Sequence, residues 1–216
     1  MEYITMASTP QQTAEINLTT LQRLLVQQRH ELGEWIGFET RNKYEILDEQ
    51  KRPIGFAAEQ QKGFWGFIMR SFLGHWRTFD IYIFNINREL SATAHHPFRW
   101  YFERIEVRDA AGKSLGAIQK KFSILSKKFD VENSTGATIM EVSSPIWRIW
   151  SFPFMRNGKK LAEINKKWSG FLSEALTDRD NFIVEFSDTS MNNQVRTLIV
   201  AAAIFVDLSY FERKKS

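Results

Sequence analysis

The sequence predicts one all-β domain of about twelve strands, which as a barrel would have room for an apolar helix at its centre. Three observations carry that prediction. A unit made of an alternating apolar run, a polar turn and a second run recurs five times. A single apolar run of helix length closes the chain, and no Gly/Ser-rich linker divides the 216 residues. This length is enough for one domain with a sizeable core.

The units follow in order. "YEILDEQKRPIGFAAE" starts at Tyr44 and "FDIYIFNINRELSATAH" at Phe79. "IEVRDAAGKSLGAIQKKF" starts at Ile105, "FDVENSTGATIMEVSS" at Phe129, and a weaker copy, "FMRNGKKLAEINKKW", at Phe154. Alternation with period two places every second side chain on one face, and Asn, Asp and Gly clusters between the runs mark hairpin turns. "LVQQRHELGEW" near the start and "FIVEF" near the end supply two further strands. The spacing of about 25 residues resembles a repeat array, but the units share a pattern and not a sequence. "WSGFLSEAL", from Trp168, reads as a short helix.

The closing segment, Val195 to Phe211, allows two readings. Nine apolar residues run unbroken from Leu198 to Val206 before Asp207. As a helix the segment would be ~25 Å long at 1.5 Å per residue, against a bilayer core of about 30 Å that wants roughly 20 apolar residues. A short span with Asp207 at an interface is one reading. A buried core helix is the other, favoured because the helix is apolar on every side yet below spanning length. A barrel of about twelve strands has an interior too wide for its own side chains to fill. The helix is the natural filler, and Ala201, Ala202 and Ala203 would let the strands close in on it.

Composition narrows the function. Seven Trp and eighteen Phe need apolar surroundings, and a net charge of +4 favours anionic partners. Zero Cys excludes disulfides, thiolate metal sites, Cys nucleophiles and S-acylation. The first twenty residues read as a polar, disordered tail with neither the basic nor the apolar region of a secretory signal. "AAGKSLG" has the Gly-Lys-Ser of a phosphate-binding loop, but the earlier Gly that the loop needs is Val107. Adjacent His95 and His96 face opposite sides of a strand, which argues against zinc. No nucleophile-elbow sequence or metal-spaced His pair occurs, so the sequence reads as a non-enzyme with no required cofactor. The pairs Lys120–Lys121 and Lys127–Lys128 read as solvated faces, and nucleic-acid binding would need them on one stripe.

Longer stretches carry a resemblance. "LLVQQRHELGEWIGFETRNKYEIL", "GFAAE", "INKKWSGFLSEALTDRDNFIVEF" and the closing apolar helix resemble, in that order, the phospholipid scramblase family. The resemblance covers residues 21–212 as one barrel domain, leaving 1–20 as the tail and 213–216 as a basic C-terminal tail. It implies a tubby-like fold, a closed twelve-stranded barrel around a C-terminal helix. It also implies a peripheral protein on the cytoplasmic side of an anionic phospholipid membrane. Such a protein moves lipid between leaflets without energy input and without covalent chemistry. A soluble tubby-like module contacting protein or nucleic acid is the alternative. Eukaryotic members carry a Pro-rich extension and Cys clusters that accept lipid chains. This sequence has neither, and "KGFWGFIMRSFLGHWR", "HHPFRWYF" and "SSPIWRIWSFPF" stand where those clusters fall. Aromatics and Arg in place of thiols suit a bacterial or otherwise divergent, cysteine-free member.

The segment from Lys62 to Arg77 is the candidate lipid-binding element. Trp65, Ile68, Met69, Phe72, Leu73 and Trp76 fall on one helical face, while Lys62, Arg70 and Arg77 lie among polar positions that include no acid. That is the pattern of an interfacial membrane helix. A helix packed across an open barrel end has the same pattern, and Gly63, Gly66 and Gly74 also admit a loop. Trp147 and Trp150 in "PIWRIWSFPF" form a second candidate contact, which half-buried strand aromatics would explain equally well.

"DRDNFIVEFSDT", from Asp178, matches the segment that the resemblance implies for Ca²⁺. Asp178 and Asp180 fill the first two ligand positions of an EF-hand-like loop. Phe182, Val184 and Phe186 offer no side-chain oxygen, and their alternation says strand. Any calcium site here is therefore weak. Titration calorimetry on the purified chain should give a millimolar dissociation constant or no signal, where sensor loops reach roughly 10⁻⁷ to 10⁻⁵ M. A micromolar signal lost in Asp178→Ala would contradict the strand reading.

Overall fold

The computed structural model describes residues 14–29, 40–60, 79–97, 103–148, 150–167 and 181–211. Twelve strands form one closed antiparallel barrel: β1 (Arg23–Gln28), β2 (Thr40–Leu47), β3 (Pro53–Gln60), β4 (Phe79–Asn85), β5 (Leu90–His96) and β6 (Arg104–Asp109), then β7 (Ser114–Lys121), β8 (Ser126–Asn133), β9 (Thr138–Pro145), β10 (Ser151–Arg156), β11 (Lys159–Lys167) and β12 (Asn181–Phe186). Each strand pairs with its sequence neighbours, and β1 closes on β12 with Val26 opposite Phe182 and Leu24 opposite Val184. The five units foreseen in the sequence are the hairpins β2–β3, β4–β5, β6–β7, β8–β9 and β10–β11. The predicted short helix from Trp168 lies outside the described residues.

Four of the hairpins turn by the same chemistry. Asp48, Asn85, Asp109 and Asn133 each donate their backbone N–H four residues on, to the carbonyls of Arg52, Glu89, Lys113 and Ala137, all at 2.9 Å. Their side-chain oxygens accept backbone N–H bonds within the turn. The residue three positions after each Asp or Asn is left-handed: Lys51 (φ 63°), Arg88 (φ 65°), Gly112 (φ 82°) and Gly136 (φ 83°). A pairing irregularity precedes each turn at the same offset, at Ile46/Leu47, Ile83/Phe84, Val107/Arg108 and Val131/Glu132. The repeat seen in the sequence is thus a repeat of turn chemistry, a short polar side chain replacing backbone partners ahead of a left-handed residue. The fifth hairpin uses Asn157–Gly158, with φ 50° and 77°, the two-residue solution that strand twist favours.

Helix α1 (Asn193–Tyr210) runs through the barrel, and every residue from Arg196 to Ser209 is buried. This settles the two readings of the closing segment in favour of the core. Among the described residues no helix is long and apolar enough to cross a membrane. Phe205 sits edge-on to Phe129, 6.4 Å between centroids, and Phe129 in turn meets Phe152 and Phe154. Fitting a helix inside a barrel demands small residues on both partners. On the helix these are Ala201, Ala202 and Ala203, all fully buried. On the wall Gly116 is decisive. Its φ is +146°, and a Cβ there would lie 2.1 Å from the Glu132 carbonyl oxygen and 3.0 Å from Leu198 Cδ1.

The packed chain begins earlier than the tail boundary drawn from sequence. Ile16 and Leu18 are buried in the core. Ile16 N–H donates to Ser91 Oγ, and Leu18 N–H donates to Asn193 Oδ1 at 2.7 Å. Arg196, itself buried, donates to the Leu18 carbonyl at 2.8 Å, to the Leu21 carbonyl and to the Met191 carbonyl at 3.2 Å. Its guanidinium also lies 4.5 Å from the Phe186 ring centroid. The residues from Ile16 are therefore a plug over the helix N-terminus; polarity in the sequence hid them because only two side chains are apolar.

Gly116→Ala should destabilise the barrel by about 2 kcal/mol or more, since both overpacking and a strained φ act there. Urea melting should show the loss, whereas Gly136→Ala, with open space around it, should lose only what its left-handed φ demands.

Candidate functional site

Strand direction sorts every connection to one of two ends. The five tight turns lie at the end where α1 begins; there Gln194 Nε2 donates to the Leu115 carbonyl at the start of β7. The other six connections, β1–β2, β3–β4, β5–β6, β7–β8, β9–β10 and β11–β12, all join strands at the end where α1 stops, and four of them are longer than any turn at the opposite end. The candidate site residues from the sequence fall in connections between strands that meet at this end. Lys62, Trp65, Ile68, Met69, Arg70, Phe72, Leu73, Trp76 and Arg77 fall in the β3–β4 connection, and Asp178 and Asp180 in the β11–β12 connection. Both sets lie outside the described residues. Trp147 and Trp150 are described, in the β9–β10 connection.

Beneath this rim the barrel interior turns polar. Tyr44 Oη donates to Asp207 Oδ2 at 2.9 Å, and Lys166 Nζ stands 3.7 Å from Asp207 Oδ1. All three residues are buried. Asn42 donates to Glu59 Oε2 at 2.7 Å and accepts from Gln28 Nε2 at 3.2 Å, a buried ladder across β1, β2 and β3. His96 is buried and stacks on Phe79, 4.6 Å between centroids, while His95 points outward to Asp80. The two histidines thus part across the strand as alternation requires.

The last turn of α1 collects cations from the wall. It carries no basic residue of its own, although helix carbonyls left unpaired there favour positive charge. Lys166 Nζ lies 3.7 Å from the Phe211 centroid and 5.2 Å from that of Phe182. Lys127 Nζ lies 4.6 Å from Tyr210, 5.1 Å from Phe211 and 5.3 Å from Phe152. Lys120 Nζ is 5.3 Å from Tyr210 and donates to Glu103 at 3.0 Å. Ammonium groups over ring faces are attracted by the quadrupole, more strongly as water is removed. Trp150 stacks on Phe211 at 5.6 Å and is half-buried, so it belongs to this packing.

The lysine pairs therefore differ from the solvated faces expected of them. Period two splits each pair: Lys120 and Lys127 turn toward the helix end, and Lys121 and Lys128 face outward. Lys121 pairs with Asp130 at 2.9 Å. That hydrogen bond, with the Asp130 charge, holds the Lys121 ammonium above the usual lysine range.

Sequence reasoning missed the apolar residues at the crest. Phe122, Ile124 and Leu125 in the β7–β8 connection are exposed at 74%, 77% and 65%, beside Ile146 and Trp147 at 48% and 72%. The Ile146 N–H donates to the Leu125 carbonyl, so the two connections are joined. "KKFSILSKK" held the signal, an apolar turn framed by lysine pairs.

The pattern that defines the Scramblase family matches residues 2–213. The chain belongs to the scramblase family. Human phospholipid scramblase 2 is 27% identical over 214 residues, covering 92% of this chain and 70% of that protein. Mouse phospholipid scramblase 1 is 28% identical, covering 91% of this chain and 63% of its own length. A phospholipid scramblase family protein of Schizosaccharomyces pombe is 20% identical over 88% of the chain and spans 59% of that relative. An Arabidopsis thaliana protein solved by X-ray superposes with a TM-score of 0.48 at 9% identity, covering 86% of this chain and 90% of that one. The closed barrel of twelve strands around the C-terminal helix is the architecture expected above.

Breaking the buried Lys166–Asp207 contact from one side should be severe. Asp207→Leu leaves an ammonium and a phenol without their carboxylate and should cost about 3–5 kcal/mol. The double variant Asp207→Leu/Lys166→Met should recover much of that loss, which urea melting of the three variants will measure.

Proposed function

We propose that this protein docks the rim at the end where α1 stops on an anionic phospholipid membrane and passes phospholipids between leaflets without energy input. The observation that carries the reading, beside family membership, is the gathering of aromatic and cationic residues at one barrel end. Lys120, Lys127 and Lys166 surround Tyr210 and Phe211 there, and Trp147 stands exposed above them. The β3–β4 segment with Lys62, Trp65, Arg70 and Trp76 joins strands at the same rim and supplies a further amphipathic contact. Lipid exchange requires that a polar headgroup be shielded from hydrocarbon while it moves. A rim that presents exposed Lys128 and Arg148 to phosphate and exposed Trp147 to the acyl boundary suits that task. No covalent step is involved in this reading, and calcium is at most a weak modulator through Asp178 and Asp180.

The test is a leaflet-exchange assay on vesicles containing phosphatidylserine, with and without Ca²⁺. Exchange should rise with protein-to-lipid ratio and be indifferent to micromolar Ca²⁺. Vesicle flotation without exchange would leave a membrane-bound module that does not scramble.

A further inference from the structure

Five of the six large hydrophobic side chains exposed among the described residues lie together at one place, the crest formed by the β7–β8 and β9–β10 connections. Isolated exposed apolar groups are ordinary, but a contiguous apolar patch ringed by polar residues marks an interaction surface. This crest is also held in shape. Ser123 and Ser126 hydroxyls are 2.7 Å apart, and Leu125 receives the Ile146 N–H at 3.1 Å. On the other connection, Ser144 Oγ donates to the Arg148 carbonyl at 2.7 Å, and the Arg148 N–H donates to the Pro145 carbonyl at 2.9 Å. Phe122, Ile124, Leu125, Ile146 and Trp147 are thus presented on a braced platform.

Charge decides what covers it. Residues 120–128 carry four lysines and no acid, and residues 145–148 add one arginine and no acid. Glu103 engages Lys120 and Asp130 engages Lys121, so cations still outnumber acids five to two around the patch. Lys128 and Arg148 are exposed at its margin. A second copy of the same chain would bring the same excess of cations against this one, which disfavours self-association through this face. An anionic bilayer satisfies both features, since the apolar crest enters the acyl boundary while lysine and arginine stay at phosphate depth.

We infer that the paired β7–β8 and β9–β10 connections form a membrane-inserting tip, with Phe122, Ile124, Leu125, Ile146 and Trp147 entering the bilayer and Lys128 and Arg148 meeting anionic headgroups. This rests on the membrane-docking reading above and names its point of entry. It also fixes an orientation, with the barrel standing on the end where α1 stops and the tight turns facing away from lipid.

The absence of cysteine from the sequence makes the test direct. Ile124→Cys carries a single thiol for an environment-sensitive fluorophore, and Thr135→Cys, in the opposite β8–β9 turn, is its control. With phosphatidylserine-containing vesicles, the label at position 124 should shift to the blue and the label at 135 should not. The triple variant Phe122→Ser/Ile124→Ser/Trp147→Ser, altered only at exposed positions, should melt as wild type does. It should bind these vesicles about tenfold or more weakly in flotation, and binding of the wild type should fall with salt. Failure of the wild type to float would overturn the membrane reading as a whole. Wild-type flotation with an unimpaired triple variant and a silent 124 label would overturn the tip alone. Concentration-dependent dimerisation abolished by the triple variant, with flotation unchanged, would assign the patch to a second copy instead.

Discussion

A closed sheet of twelve strands removes every strand edge, but it encloses more space than wall side chains can fill. The rest of this structure depends on how that space is filled. Helix α1 occupies it, and the fit requires Ala201 to Ala203 on the helix and Gly116 on the wall. Placing a helix there creates a second requirement, because its unpaired terminal backbone groups and its dipole now sit inside the barrel mouths. At the start, Asn192 accepts the Val195 N–H, and Asn193 and Arg196 bind the carbonyls of the incoming N-terminal segment. At the end, the wall brings Lys120, Lys127 and Lys166 to a last turn without basic residues of its own.

The two barrel ends have diverged for a local reason. Four turns of one chemistry and one Asn-Gly turn keep the helix-start end short, with side chains of Asp48, Asn85, Asp109 and Asn133 satisfying the backbone. Four of the six connections at the opposite end are longer, and functional residues concentrate where a rigid scaffold presents loops. Apolar, aromatic and cationic residues then share a rim with a buried polar ladder beneath it. The concentration follows from topology, since antiparallel neighbours must alternate their connections between ends.

Much of the fold was legible in the residues themselves. Period-two runs such as Phe79, Ile81 and Ile83 point inward as their alternation says, and all five hairpins stand where the polar turns put them. The candidate site was only half legible. Trp147 stands exposed, but Trp150, equally aromatic and three residues on, is stacked on Phe211. The Lys120–Lys121 and Lys127–Lys128 pairs looked solvated as charge usually is, yet alternation turns one member of each toward the helix end. Ile16 and Leu18 sat within polar sequence and were passed over, though Arg196 and Asn193 fasten their backbone.

Local pattern determined what depends on neighbouring residues alone: strand count, turn positions and the helix at the end of the chain, while its two readings, span or core, were left for the structure to decide. Contacts between residues far apart in sequence were decided only by tertiary structure. Tyr44 meets Asp207 across 163 positions, and Leu18 meets Arg196 across 178. The joining of Phe122, Ile124 and Leu125 to Trp147 belongs to the same class, because strand pairing between β8 and β9 sets it. Periodicity reports which face a side chain takes, but only closure of the barrel decides which other faces it will meet.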